Sequence, residues 1–130
     1  MVLIDTTVWI DLFNNKNTKE VFLLKGLIDK DDDICLCGII YAEVLQGIRD
    51  EGEFKKVQSI LNRLIYLPIQ KHTFDKAITI YRTLRKRGIT VRGTIDCIIA
   101  SVCMEHEIRL LQRDKDFHRI AEAFPLKILK

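Results

Sequence analysis

The chain has 130 residues, the span of one domain, and a domain of that length can bury a single core. Hydrophobic residues make up 48% and charged residues 30%, which excludes disorder as a description of the whole chain. The net charge of +3 names no partner class by itself, and no apolar run reaches the length of a membrane span.

In chain order, Val2-Leu3-Ile4 reads as a short buried strand ending at Asp5. Thr6-Thr7 open a segment with Val8, Trp9, Leu12 and Phe13 at helical spacing, where Trp9 and Phe13 are expected in the core. A polar break follows over Asn14 to Thr18, and a helical pattern resumes from Val21 to Ile28. Asp29 to Asp33 form an acidic turn. The turn has the first spacing of a calcium loop, but Ile34 and Ile40 stand where that loop needs Gly and Glu. Ile34 to Cys37 is a second strand. Helices are expected over Ile39–Ile48 and Phe54–Leu64, then a strand over Ile65–Leu67 before Pro68. Thr73 to Arg87 predicts a strong helix closed by Gly88, a good residue just past a helix end. Thr94 is the expected cap of a helix over Ile95–His106. A strand at Ile108–Leu111, a helix at Lys115–Ala123 and a strand at Leu126–Leu129 complete the pattern. Short apolar strands alternating with helices predict one α/β domain, residues 1–130, around a mainly parallel sheet.

The cysteines Cys35, Cys37, Cys97 and Cys103 lie in apolar runs and lack the paired spacing of a zinc site. The N-terminus has no basic leader region, and Asp5 interrupts its apolar stretch. A reducing cytoplasm is the expected compartment. From Lys76 to Arg92 there are six basic residues and no acid. Arg82, Arg85, Lys86, Arg87 and Arg92 are therefore candidate contacts for RNA phosphates, against the plainer reading of a solvated helix face with a basic end.

Four acids stand in apolar or small surroundings: Asp5, Glu43, Asp96 and Asp114. In a parallel sheet ligands collect beyond the carboxyl ends of the strands, and Asp5 and Asp114 both follow strands there. Glu43 lies three or four residues from Ile39, Ile40, Val44 and Gly47, on or beside an inward helix face. Asp96 falls in a first helical turn, where the dipole favours negative charge. Acids gathered this way repel one another unless a cation joins them. Carboxylate oxygens suit Mg2+ or Mn2+, and such ions support phosphodiester hydrolysis by activated water. No side-chain nucleophile is then required. None is evident, since His72, His106 and His118 have no obvious Ser or Cys partner, and His106 and His118 read as helix-surface residues. Asp11 also reads as part of a helix surface.

Taken in order, these segments resemble the PIN domain, in particular the VapC toxins of prokaryotic toxin–antitoxin pairs. Leu-Ile-Asp5-Thr-Thr-Val-Trp-Ile-Asp is similar to the family's first motif and Ile-Tyr-Ala-Glu43-Val-Leu-Gln-Gly-Ile to its second. Thr-Ile-Asp96-Cys-Ile-Ile-Ala-Ser resembles the third, and Leu-Leu-Gln-Arg-Asp114-Lys-Asp116-Phe the fourth. The resemblance covers essentially the whole chain. It implies a three-layer α/β/α sandwich and an endoribonuclease dependent on Mg2+ or Mn2+. It also implies a VapB-like antitoxin lying in the groove, a toxin homodimer, and an RNA substrate of the tRNA or rRNA class. Asp5, Glu43, Asp96 and Asp114 match the acidic quartet, Asp116 a frequent fifth acid near the metal, and Thr7 a supporting hydroxyl.

Two other readings compete. A haloacid-dehalogenase-like phosphatase also begins with an aspartate after a strand, but its Asp-x-Asp is broken here by Thr7. A non-catalytic module of the same fold, binding RNA or protein, would not need four intact acids.

Overall fold

In the computed structural model, which describes residues 1–130, the backbone forms five strands and seven helices. They run β1 (Val2–Ile4), α1 (Thr6–Phe13), α2 (Lys19–Asp29), β2 (Ile34–Cys37), α3 (Gly38–Gln46), α4 (Glu51–Leu61), β3 (Ile65–Leu67), α5 (Lys71–Lys86), α6 (Thr94–Glu105), β4 (Arg109–Leu111), α7 (Lys115–Ala123) and β5 (Lys127–Ile128). Every strand pair is parallel, and the order across the sheet is β3-β2-β1-β4-β5.

Parallel neighbours need crossover helices, and helices on both faces leave the strands no solvated side. That is why β1 and β2 are apolar at every position, and all seven of their residues are buried. The helices pack as two groups, α1 to α4 and α5 to α7, which sandwich the sheet in three layers. A single cluster of 33 buried apolar residues fills the space between, so the strands share one core with both helix layers. Leu3, Ile4, Leu36, Ile99, Leu110 and Phe117 are among its fully enclosed members. Each such side chain contributes about 1.5–3 kcal/mol by leaving water. No helix is long and apolar enough to cross a membrane.

Several element ends differ from the sequence reading, and caps explain most of them. The α2 helix starts at Lys19 because the Thr18 hydroxyl accepts the Val21 N–H at 3.0 Å. The α4 helix starts at Glu51 because Asp50 accepts the Glu53 N–H at 2.9 Å. The α5 helix opens at Lys71; Thr73 is turned inward, and its hydroxyl donates to Glu105 at 2.9 Å. The expected cap Thr94 is instead the first residue of α6, and extended Gly93 precedes it as the boundary residue. Asp11 is corrected from surface to core: it is 3% exposed and lies against Arg113, whose Nε is 2.9 Å away. Trp9 is buried and stacks on Phe13, as core residues do.

Order around the sheet places the site. From β1 the chain first adds β2 and β3 on one side, and later β4 and β5 on the other. The switch point therefore falls between β1 and β4, where the two loops leave in opposite directions and open a crevice at the strands' carboxyl ends.

Two glycines give a stability test of this backbone. Gly88 closes α5 at φ +76°, a conformation that opposes a side chain, whereas a Cβ at Gly26 within α2 meets nothing within 4 Å. Gly88→Ala is expected to lose about 1 kcal/mol and Gly26→Ala to gain about 0.5–1 kcal/mol in urea unfolding. Equal shifts in both would contradict the assigned backbone.

Candidate metal centre

Asp5 leaves β1 and stands at the N-cap position of α1, with φ −69° and ψ 155°. Its side chain makes no capping hydrogen bond, so the carboxylate is not consumed by the helix. The Thr7 hydroxyl donates to Asp5 Oδ2 at 3.0 Å instead. The Asp5 backbone N–H donates to Leu111 O at 2.9 Å, which seats this residue against the end of β4. Only 5% of Asp5 is exposed.

Glu43 reaches the same edge from α3. The Thr6 hydroxyl donates to its Oε1 at 2.7 Å. Thr6 is buried and went unnoticed in the sequence, where Thr7 alone was singled out. Adjacent helical residues point about 100° apart, so the pair Thr6-Thr7 serves two different acids.

Asp96 comes from the first turn of α6. Asp114 caps α7, its Oδ1 accepting the Asp116 N–H at 3.0 Å, while its own N–H donates to Gln112 Oε1. Asp116 is 3% exposed, and both of its oxygens are engaged. Oδ2 accepts the Arg92 backbone N–H at 3.0 Å and Oδ1 accepts Arg119 Nη1 at 3.1 Å. Oxygens of Asp96, Asp114 and Asp116 all lie within 4.8 Å of one another. The fold thus brings together acids that are as far as 20 residues apart in the chain.

The electrostatics describe one connected group. Burial pushes the Asp5 carboxyl above its ordinary range, and the Glu43 charge adds to that; the Thr7 hydroxyl and the first-turn amides pull the other way. Burial, with Asp114, Asp5 and Asp116 nearby, pushes Asp96 up to about 7, against an opposing pull from Arg92. A hard cation is the species that relieves such mutual repulsion without adding nitrogen or sulfur ligands. The donors are all carboxylate oxygens, and the four buried cysteines are held protonated by desolvation, Cys35 at about 12 and Cys97 at about 11. The residues present therefore fit a metal ion bound through oxygen.

A cleft of about 460 Å³ opens on the Asp114 and Asp116 side of the cluster. It is lined by Thr7, Arg92, Arg113, Asp114, Lys115, Asp116 and Arg119, and by no apolar residue. Of the five basic residues proposed from the sequence, Arg92 alone lines it. Arg82, Arg85, Lys86 and Arg87 are exposed at and just beyond the α5 end, where Arg85 rests over the Tyr81 ring at 5.8 Å. Arg113, Lys115 and Arg119 were missed. Their signal was proximity to Asp114 and Asp116, since basic residues at 113, 115 and 119 flank both acids in one short segment. His106 and His118 are both exposed, and His118 meets the Gln112 side chain at 3.3 Å.

The raised Asp96 has a thermodynamic consequence. Folding lifts its pKa from 3.8 to about 7, so within that window the native chain holds a proton that the unfolded chain has released. Native stability from this group therefore falls as pH rises from about 4 to about 7, and is constant beyond either limit. In EDTA, Asp96→Asn is expected to melt at a higher temperature than the unmodified chain at pH 7.5. The gap should shrink toward zero by pH 4, and a gap independent of pH would contradict the assigned environment.

Comparison with known proteins agrees with this geometry. The PIN domain family matches residues 2–123. VapC ribonuclease Mb1587 of Mycobacterium bovis is 32% identical over 123 residues, which cover 93% of this chain and 92% of the relative. Ribonuclease VapC11 of Mycobacterium tuberculosis matches to the same extent. Among solved structures, FitAcB from Neisseria gonorrhoeae superposes with TM-score 0.78 at 20% identity, over 100% of this chain and 97% of the other. A toxin–antitoxin complex from Klebsiella pneumoniae gives 0.74 at 21% identity, over 98% and 100%. The fold, the order of the acidic segments and the 32% identity to VapC ribonucleases converge on one assignment: the chain belongs to the PIN-domain family.

Proposed function

We propose that the chain is a VapC-like toxin, an endoribonuclease dependent on Mg2+ or Mn2+ and held inactive by a cognate antitoxin. The observation that carries this reading is the set of carboxylates gathered at the β1–β4 crevice, where burial and the neighbouring acids push Asp96 up to about 7. The ribonuclease relatives support the substrate class.

Asp5, Glu43, Asp96 and Asp114 would hold the cation, with Asp116 as the fifth acid behind them. When bound, a divalent cation supplies water activation and charge neutralisation at a phosphodiester. The chain's own groups do the positioning. The Thr7 hydroxyl fixes the Asp5 carboxylate and the Thr6 hydroxyl fixes Glu43, so neither has to be ordered when RNA arrives. The cap at Asp114 leaves one of its oxygens facing the cluster. Arg113, Lys115 and Arg119 surround the acids with positive charge suited to the sugar–phosphate chain. Arg82, Arg85, Lys86 and Arg87 extend that positive surface. The polar cleft lacks the aromatic stacking platforms that read individual bases. Its basic rim suits the sugar–phosphate chain of an RNA of the tRNA or rRNA class.

The same reading includes a VapB-like antitoxin and a toxin homodimer. A cluster of carboxylates takes an arginine readily, and Arg92 already shows a guanidinium seated on Asp114 and beside Asp116. An antitoxin segment would place a basic side chain among the acids, and a complex that leaves the cleft open would count against that mode of inhibition.

Asp5→Asn and Asp96→Asn are each expected to lower RNA cleavage by at least about a hundredfold while leaving the circular dichroism spectrum unchanged, since even indirect metal supports cost up to about that much. EDTA should abolish cleavage by the unmodified chain, and Mn2+ should restore it. Full activity in either variant, with RNA ends mapped by sequencing, would overturn the proposal.

A further inference from the structure

The loop between α5 and α6 is fastened to the acidic cluster through its backbone. The Arg92 N–H donates to Asp116 Oδ2 at 3.0 Å. Arg119 Nη1 donates both to Asp116 Oδ1 at 3.1 Å and to Thr90 O at 3.0 Å, closing a second link between the same loop and the same carboxylate. The Arg92 side chain is nevertheless 78% exposed. It reaches across to pair with Asp114 Oδ2, and its Nε lies 3.6 Å from Asp116 Oδ2. A fixed backbone with a long, solvated cationic side chain is an arm on a rigid base.

The arm occupies the oxygen of Asp114 that the helix cap leaves free. Asp114 Oδ1 already accepts the helix-cap N–H, so Oδ2 is the oxygen left outside the cap, and a cation drawn to it competes there with the Arg92 guanidinium. The other arginines of the cleft are placed differently. Arg113 lies on Asp11 and Arg119 on Asp116, carboxylates whose side chains are only 4% and 5% exposed. Neither pair depends on Asp114.

Resting on the ribonuclease reading above, we propose that Arg92 is an internal counter-cation, paired with Asp114 while the acidic cluster lacks a metal and handed over to a substrate phosphate when Asp114 turns to one. An exposed ion pair opens at small cost, and a guanidinium matches a phosphate with the same two-pronged geometry that it offers a carboxylate. The handover orders events: the cleft becomes most attractive to RNA once the acids are neutralised. Arg92 then acts on phosphate position, and Asp116 acts through it by holding the base of the arm.

Two measurements on the full chain test this. Calorimetric titration with Mn2+ is expected to show Arg92→Ala binding the ion about three- to tenfold more tightly, because no competing cation has to leave. Arg63→Ala removes the same charge at the opposite edge of the sheet, just before β3, and should bind Mn2+ like the unmodified chain. Binding of a fluorescent RNA oligonucleotide with phosphorothioate linkages, which resist hydrolysis, then reads the handover. With Mn2+, Arg92→Ala should weaken binding and reduce the salt slope by about 0.7, the loss of one phosphate contact. Without Mn2+, the substitution should leave RNA affinity unchanged. Arg92→Lys should recover the salt slope. Unaltered Mn2+ affinity in Arg92→Ala, or an equal loss of RNA affinity with and without Mn2+, overturns the arm alone. Absence of Mn2+ binding by the unmodified chain overturns the metal-dependent reading and the arm with it.

Discussion

Asp5 donates its backbone N–H to the carbonyl of Leu111 at 2.9 Å, continuing the β1–β4 ladder one residue past the end of β1. The acidic site depends on that register. It puts Ile4 level with Leu111, the last residues of β1 and β4, so the two chain segments leave the sheet side by side at the switch point. A slip of one residue would turn Asp5 toward the other face and bury Ile4 where the carboxylate now stands. Because β1 is the central strand, pairing with β2 on one side and β4 on the other, both neighbours hold the register.

Around that junction the fold spends stability on an arrangement of like charges. Asp5 is 5% exposed and Asp116 3%, and burial is the leading cause of the raised pKa at both Asp5 and Asp96. The surroundings offset part of the cost with hydroxyls from Thr6 and Thr7, backbone N–H groups at the start of α7, and arginines reaching in from two loops and α7. The compensation is incomplete at Asp96, which is where a bound cation would contribute most. Asp11 is different in kind, since one acid there meets the cations of Arg113 and Lys16 and no second carboxylate competes for them. That contrast separates the acids of the site from the other acids of the chain.

Much of this was legible in the sequence because the strands are short and the central ones, β1 and β2, are apolar and buried on both faces. Val2–Ile4 and Ile34–Cys37 appear at the expected bounds as runs of consecutive buried residues, and Ile65–Leu67 as an apolar run stopped by Pro68, although only its Leu67 is buried. The acids were legible as polar exceptions to apolar runs. Helix starts were less so. Asp50 and Glu53 form a readable cap signal, but the hydrophobic period begins only at Phe54, so periodicity alone starts this helix late. Asp11 was misplaced because its burial depends on Arg113, a partner about a hundred residues away that periodicity within one helix cannot reveal. The tie between Arg92 and Asp114 was hidden for the same reason: the basic stretch looked like one surface, yet only its last member turns over the acids.

The claim on which the rest stands is that the carboxylates at the β1–β4 crevice hold a divalent cation. Anomalous diffraction from crystals of the chain soaked in Mn2+, collected near the manganese edge, tests it most directly. The account predicts a peak bounded by Asp5, Asp96 and Asp114, absent from crystals of Asp96→Asn. An empty crevice at saturating Mn2+, or a peak only at the exposed Asp31–Asp33 turn, would contradict it.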